Sequence, residues 1–143
     1  MDLSKAQKLF HTLRASKFRS KEFRELLKNE EKVKLVKPEL VWQVEQGLSL
    51  EEKEIGEAHK AHEVLIQDTM DFFRTYDILC SPCTMSPPFD VKTRWLKECA
   101  GWEFDSYIDW LIPTSLLSLT NCPSISIPCG FTATSNLPVG LQL

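Results

Sequence analysis

Two short apolar stretches, PSISIPCGF at residues 123–131 and LPVGLQL at residues 137–143, decide the fold. Within them, residues 125–127 and 139–143 predict buried strands, because short apolar runs bounded by Gly or Pro are typical of strands in a sheet core. A third strand is predicted at residues 77–80. Three short strands do not form a stable sheet with covered edges. The sequence therefore predicts that these strands belong to a larger sheet.

The segment around these strands is uncharged: residues 110–143 contain no Asp, Glu, Lys, Arg or His. Ionisable residues collect on exposed chain, so a long uncharged segment indicates interior structure. It is not a membrane span, because prolines interrupt it and no apolar run approaches the ~20 residues that a bilayer requires. We expect no membrane partner. Instead, another part of the protein or an oligomer partner is expected to cover this segment.

The opposite end of the chain is basic. Residues 1–37 hold eleven Lys or Arg against five acids, although the net charge of the whole chain is -3. Such a run is usually the solvated face of amphipathic helices, and the interleaved acids weaken a nucleic-acid footprint. A non-catalytic helical interaction module that uses this basic face, with possible RNA binding, stays open as an alternative function.

The cysteine content indicates the compartment. The five cysteines are an odd number, and residues 1–10 are polar and lack the apolar run of a signal peptide. Both features predict free thiols in a reducing, cytoplasmic environment.

Residues 1–75 are predicted to be mainly helical, with Pro38 at the first position of one helix and Gly47 at its C-cap. Ser49 followed by Glu52 predicts a capping box that opens the longest helix, over about residues 50–75.

Residues 76–143 are predicted to follow the order strand, loop, helix and strands. Residues 83–104 form a long irregular connection, and loops of that length are usually functional or packed on another domain. A helix is predicted over residues 104–119, where Pro113 imposes a kink or a break.

The residue types that carry chemistry are sparse. Cys80 and Cys83 have the C-x-x-C spacing of redox or zinc sites, but no second pair accompanies them. His59 and His62 are three residues apart on the long helix without the other ligands of a metal site. We therefore predict no metal and no cofactor, while a thiol or metal protein built on Cys80 and Cys83 stays a third possibility.

Serines are frequent between residues 114 and 126. A nucleophilic serine requires an activating base within hydrogen-bond reach, and the nearby ionisable residue is Asp109, which would need a base from elsewhere. We interpret these hydroxyls as groups that satisfy turns and helix carbonyls.

These segments together resemble the C-terminal half of amidase signature enzymes. The late pair of stretches, Pro-x-Ile-Ser-Ile-Pro-Cys-Gly followed by Leu-Pro-Val-Gly-Leu-Gln, is a specific signal at this spacing, and the resemblance extends over nearly the whole chain from about Ala6. The supporting segments are YDILCSP at 76–82, PPFDV at 87–91, YIDW at 107–110, LRA at 13–15, KPE at 37–39 and QG at 46–47.

Two positions depart from the family pattern. Before the first late strand the family often has Asn and then Gly three residues later, whereas this chain has Ser118 and Asn121. Asn is the tolerable replacement for Gly, because it visits left-handed backbone more readily than other residues with a side chain.

The resemblance implies an α/β fold around a mixed sheet, of which residues 1–143 are the C-terminal portion. It also implies hydrolysis of the amide bond of a small-molecule substrate by a Ser–cis-Ser–Lys triad. From the acids interleaved in the basic end, we expect no nucleic-acid partner. In the family that triad lies in the N-terminal half, and no position here matches its motifs. We therefore assign no catalytic residue and expect the isolated chain to be inactive. The candidates for the substrate pocket are Pro82, Cys83, Thr84, Tyr107 and Asp109.

Overall fold

A computed structural model describes residues 3–143 and divides the chain into two compact units. The first unit ends at Val64 and the second begins at Leu65. The helices of the chain are α1 (Leu3–Ser16), α2 (Lys21–Leu27), α3 (Glu30–Lys34), α4 (Pro38–Ser49), α5 (Glu52–Phe72) and α6 (Ile112–Leu117). The strands are β1 (Ser81–Pro82), β2 (Glu98–Cys99), β3 (Trp102–Glu103), β4 (Ser126–Phe131) and β5 (Pro138–Gln142). Helices followed by a few strands confirm the predicted fold class.

The core of the first unit lies between α1 and α4. Ala6, Leu9, Phe10 and Leu13 recur at helical spacing and are all buried. On α4, Val44 is completely buried. Apolar side chains three and four residues apart form one stripe of a helix, so this pattern brings α1 against its neighbour.

Gly47 is not the C-cap that the sequence predicted, because α4 continues through it to Ser49. It is buried, and a Cβ atom at this position would overlap the carbonyl oxygen of Ala15 at the end of α1. The absence of a side chain lets the two helices approach closely at this point.

The helix starts agree in part with the sequence. Pro38 occupies the first turn of α4, as predicted, where its missing N–H costs nothing. The predicted capping box of Ser49 and Glu52 is wrong. The Ser49 hydroxyl donates to the carbonyl of Gln46 at 2.8 Å, and the Glu51 N–H donates to the Glu54 carboxylate at 2.9 Å.

The first strand of the second unit lies later than predicted. Residues 77–80 form no strand, and β1 consists of Ser81 and Pro82, which pair with Gln142 and Leu141 of β5. Ile78 and Leu79 are exposed. Their apolar character predicts a strand, but no strand within residues 3–143 pairs with them.

The sheet has the order β1-β5-β4, and both pairings are antiparallel. The two predicted late strands are present, but β4 extends to Phe131 and has an irregularity between Pro128 and Gly130. Residues 139–141 are half-buried and Gln142 is buried, whereas Ile125 is 60% exposed. Cover of these strands by another part of the protein stays a prediction.

The connection over residues 83–104 is not wholly irregular. It contains a small antiparallel hairpin of β2 and β3, whose turn has Ala100 and Gly101 at positive φ. The Phe104 N–H donates to the Lys97 carbonyl at 2.8 Å and closes the base of the hairpin.

The helix predicted over residues 104–119 is shorter and divided. A 3-10 turn at Asp109–Leu111 leads into α6, and a second 3-10 turn at Ser118–Thr120 follows it. Pro113 lies in the first turn of α6, which confirms the predicted break. The backbone of Asn121 is left-handed, with φ of 60°. This confirms the expectation that Asn replaces Gly here because it adopts this conformation readily.

No helix within residues 3–143 is long and apolar enough to cross a membrane.

Candidate functional site

Cys83 lies where β1 leaves the sheet, and three elements hold it. Its N–H donates to the carbonyl of Gly140 on β5 at 3.2 Å, and its sulfur lies 2.9 Å from the hydroxyl of Ser126 on β4. The hydroxyl of Thr114 on α6 is 3.4 Å from its carbonyl oxygen. The main chain and the thiol of this pocket candidate are therefore fixed by the sheet.

Gly140 provides the space for this cluster. A Cβ atom at residue 140 would lie 2.9 Å from the Cys83 sulfur and 3.1 Å from the Ser126 hydroxyl. Both distances are shorter than ordinary contact, so Gly140 lets the thiol and the hydroxyl meet over the backbone of β5.

The residues on either side of Cys83 have structural partners of their own. Pro82 pairs with Leu141 in the sheet. The hydroxyl of Thr84 donates to the carbonyl of Ser86 at 2.7 Å, which fixes the turn after the strand.

Tyr107 belongs to an aromatic cluster. Its ring centroid lies 6.4 Å from that of Trp110, and the Trp110 ring meets the Phe89 ring edge to face at 5.6 Å. Such edge-to-face pairs contribute beyond the burial of their area. The cluster connects the segment after β1 with the 3-10 turn before α6.

Asp109 is buried, with 4% of its surface exposed. Its carboxylate accepts the N–H of Ser106 at 2.7 Å and the hydroxyl of Ser106 at 2.9 Å. The Ser106 oxygen in turn accepts the N–H of Ile108 at 3.3 Å. These bonds close the turn that leads into α6 and give the carboxylate a structural role.

The structure thus brings the two predicted pocket segments together. The contact between Phe89 and Trp110, and the hydrogen bond from Thr114 to Cys83, connect residues 82–90 with residues 107–114. Tyr107 and Asp109 are part of one turn, whereas Cys83 is held by the sheet. The five candidates thus lie on two segments that contact each other. Their contact with a substrate stays a prediction.

A cavity of about 590 Å³ lies elsewhere in the second unit, and none of the five candidates lines it. Its walls are mainly apolar, and Asp77 is its one carboxylate. No lysine, arginine or histidine lines it. The lining residues are Thr69, Phe73, Asp77, Ile78, Leu79, Leu117, Thr120, Cys122, Pro123, Ser124, Ile125 and Leu143.

The pair Cys80 and Cys83 and the pair His59 and His62 form no metal site within residues 3–143. Cys80 and Cys83 are free thiols, and no group of three metal-ligating side chains occurs within residues 3–143. His59 and His62 lie on α5. Nothing in this geometry supports the thiol or metal protein.

The basic end of the chain is partly neutralised within its own helices. Lys28 pairs with Glu25 at 2.9 Å, and Lys34 pairs with Glu31 at 2.7 Å. Exposed pairs of this kind contribute little stability, but they lower the charge available to a polyanion. The interaction-module alternative gains no support.

Comparison with known proteins decides the family. The sequence model described as Amidase matches residues 3–143. The chain belongs to the amidase family. Two solved structures agree with this in fold. A bacterial aryl acylamidase of the amidase signature enzymes superposes with a TM-score of 0.77 at 18% identity, over 99% of this chain and 30% of that one. Another amidase superposes with a TM-score of 0.74 at 22% identity, over 98% and 31%.

The curated relatives of this amidase-family chain include subunits A of glutamyl-tRNA(Gln) amidotransferases. The Bacillus pumilus (strain SAFR-032) subunit is 31% identical over 86 residues, which cover 60% of this chain and 16% of that protein. The Burkholderia ambifaria subunit is 29% identical over 89 residues, which cover 61% and 17%. The matched regions are therefore about a sixth of the length of these relatives.

Sequence reasoning missed several residues of the Cys83 cluster. The sequence places Ser126 and Gly140 in strands and Thr114 in a helix, and it predicts no role for them at the site. Gly140 and Ser126 do occur in the two stretches that carry the family resemblance. Their meeting with Cys83 follows from strand register, which the sequence alone does not state.

Proposed function

We propose that residues 1–143 are the C-terminal portion of an amidase that hydrolyses the carboxylic amide C–N bonds of small molecules. The observation that carries this proposal is the family match over residues 3–143, in a chain whose fold corresponds to about 30% of the solved amidases. The proposal places the Ser–cis-Ser–Lys triad outside this chain. The 143-residue chain alone then does not hydrolyse amides.

The reaction follows from the chemistry of such a triad. A serine oxygen attacks the amide carbon, the bridging serine relays its proton, and a neutral lysine accepts it. Backbone N–H groups stabilise the oxyanion, after which the amine leaves with a proton and water releases the acyl group as a carboxylic acid. None of these steps uses a residue of this chain, and none requires a metal or a cofactor.

This chain then contributes part of the pocket wall. Pro82, Cys83 and Thr84 follow the short strand β1, and ligands of open α/β sheets bind beyond strand ends. Tyr107 and Asp109 provide a rigid turn beside them, because the Asp109 carboxylate is held by Ser106. In this arrangement Tyr107 presents a half-buried aromatic ring and Cys83 a small polarizable side chain.

The partner of residues 110–143 in this proposal is the rest of the amidase domain. The exposed apolar residues Ile125, Phe131 and Leu137 support it, since large apolar side chains gather at surfaces that another body covers. Nucleic acid and membrane are not partners in this proposal. The free thiols favour a cytoplasmic location.

The inactivity of the isolated chain can be tested directly. Incubation with a serine-reactive fluorophosphonate, followed by intact-mass spectrometry, is expected to leave the mass unchanged. An aryl amide is expected to show no turnover above buffer. A solved aryl acylamidase serves as the positive control. Labelling together with turnover would place the catalytic serine within residues 1–143 and would refute the proposal.

The pocket assignment requires a complete amidase that carries this segment. Tyr107→Phe and Cys83→Ala are expected to change KM for an aryl amide, because both side chains border the substrate in the proposal. Tyr76→Phe is the matched control, since Tyr76 stacks on Phe72 at the end of α5. Equal kinetics for all of these variants would remove residues 82–84 and 107–109 from the pocket, while leaving the amidase proposal intact.

A further inference from the structure

The middle strand of the three-stranded sheet contains a glycine that its backbone conformation does not require. Gly140 lies in β5, between β1 and β4. The φ angles of Gly101 and Gly130 are positive, whereas that of Gly140 is not, so a residue with a side chain could adopt its backbone conformation. A glycine inside a strand weakens the strand, because it loses more freedom on folding and has no side chain to pack. Another feature of this position must account for the glycine.

That feature is the contact between side chains from the two strands that flank β5. Neighbouring strands lie about 4.8 Å apart, so the backbones of β1 and β4 are separated by about 10 Å. Ser126 pairs with Gln142, and Gly140 lies two residues before Gln142 on the same face of β5. The Cys83 sulfur and the Ser126 oxygen meet at 2.9 Å above Gly140. A Cβ atom at residue 140 would lie 2.9 Å from that sulfur and would displace it.

The contact acts on the direction of the thiol. The main chain of Cys83 is already held by the carbonyl of Gly140 and the hydroxyl of Thr114. Ser126 adds a bond to the side chain, which restricts the χ1 torsion of Cys83 to one rotamer. A thiol is a weak donor and a weak acceptor, so this bond contributes little to stability. A glycine that weakens a strand and permits an orienting contact breaks a local rule, as residues at functional sites do.

We propose that Ser126 is a positioning residue of the substrate pocket, whose hydroxyl reaches over Gly140 and fixes the direction in which Cys83 presents its thiol to the amide substrate. The inference rests on the proposed function, in which Cys83 borders the substrate. Ser126 acts on the substrate only through Cys83. A thiol that is already fixed loses no rotamer freedom when the substrate binds, so the effect of Ser126 falls on KM and not on kcat.

A double-mutant cycle in a complete amidase that carries this segment tests the positioning role. Ser126→Ala is expected to raise KM for an aryl amide about threefold and to leave kcat unchanged, because the thiol must then be ordered on binding. Ser126→Thr keeps the hydroxyl and is expected to restore KM. In a Cys83→Ala enzyme, Ser126→Ala is expected to have no further effect on KM, because residues that act through one another are not additive.

Ser135→Ala is the matched control. The Ser135 hydroxyl meets that of Thr132 at 2.6 Å in the connection between β4 and β5, away from Cys83, and its loss is expected to leave KM unchanged. A second measurement uses the 143-residue chain and involves no catalysis. The NMR couplings between the Hα and Hβ atoms of Cys83 report its χ1 torsion. They are expected to show one rotamer in the unsubstituted chain and in Ser126→Thr, and an average over rotamers in Ser126→Ala.

Three results would overturn the positioning role: an unchanged KM in Ser126→Ala, an equal rise in KM with and without the Cys83 thiol, or a single Cys83 rotamer in Ser126→Ala. A complete enzyme that neither reacts with the fluorophosphonate nor turns over an amide would instead refute the proposed function and, with it, the effect on KM. The NMR couplings of the 143-residue chain would then still decide whether Ser126 orients the thiol, so the two failures are distinguishable.

Discussion

The helix pair α1–α4 and the strand pair β4–β5 are both built from short apolar patterns, yet they differ in how far their apolar side chains are buried. The helix pair buries Leu9 and Val44 within its own unit. The strand pair satisfies the backbone along its shared edge but leaves Phe131 mostly exposed. A helix completes its backbone hydrogen bonds within itself and needs one neighbouring element to bury its apolar stripe. A sheet needs further strands for its backbone and a covering layer for its apolar face.

The first prediction, with the largest expected effect, compares how much the free energy of unfolding falls when a side chain of each pair is truncated to Ala. Leu9→Ala is expected to lower the free energy of unfolding by about 2–5 kcal/mol, because it leaves a cavity in the α1–α4 core. Phe131→Ala removes a larger side chain, but it is expected to change the free energy of unfolding by only about 0.5 kcal/mol, as at other surface positions. Urea unfolding followed by circular dichroism measures both. Equal losses would show that β4 has a buried face in solution.

A second prediction concerns the part of the second unit that does close on itself. Asp109→Ala is expected to cost about 1.5–3 kcal/mol, because two donors of Ser106 lose a buried charged acceptor. Asp105→Ala, four residues earlier and exposed, is the matched control and is expected to be nearly neutral. The same unfolding measurement applies. If the two variants were equally stable, the turn before α6 would not depend on this carboxylate.

The third prediction compares two helical glycines. Gly47→Ala is expected to destabilise the first unit by about 1–3 kcal/mol, because the new methyl group overlaps the Ala15 carbonyl and forces α1 and α4 apart. Gly56→Ala on α5 meets nothing within 4 Å and is expected to stabilise the helix by about 0.5–1 kcal/mol. Opposite signs in thermal unfolding would confirm the close approach. A stabilising Gly47→Ala would refute it.

These glycines show how far the sequence predicts the helical region. The spacing of Leu9 and Leu13 and the position of Pro38 are local signals, and both appear in the structure as predicted. The sequence predicts a helix end at Gly47 because glycine often ends helices. Its real role depends on Ala15, which is distant in sequence, and no local rule reports such a contact.

The strands and the candidate site depend more strongly on distant partners. Residues 77–80 gave an apolar strand signal, yet the pairing with β5 begins at Ser81, because a strand exists only where a neighbour accepts its hydrogen bonds. The contact of Cys83 with Ser126 follows from that register. The five pocket candidates are predicted from their positions after a strand or in a loop, where ligands of open α/β sheets bind. Their local supports in Ser106 and Gly140 are not predictable without the fold.

The smallest effect concerns the pKa of Glu22 in the first turn of α2, where local chemistry alone decides. The Ser20 side chain donates to its carboxylate and, together with the Glu22 N–H, holds its pKa below the ordinary value. Because the pKa is lowered in the folded state, the ionised Glu22 carboxylate stabilises the folded chain at pH values above the ordinary carboxyl pKa. This stabilisation is lost as the pH falls through the pKa of Glu22 in the folded chain. Ser20→Ala is expected to raise the pKa of Glu22, as measured by NMR titration of its carboxyl carbon. Ser20→Thr keeps a hydroxyl and is expected to keep the pKa low; an unchanged pKa in Ser20→Ala would refute this side-chain bond.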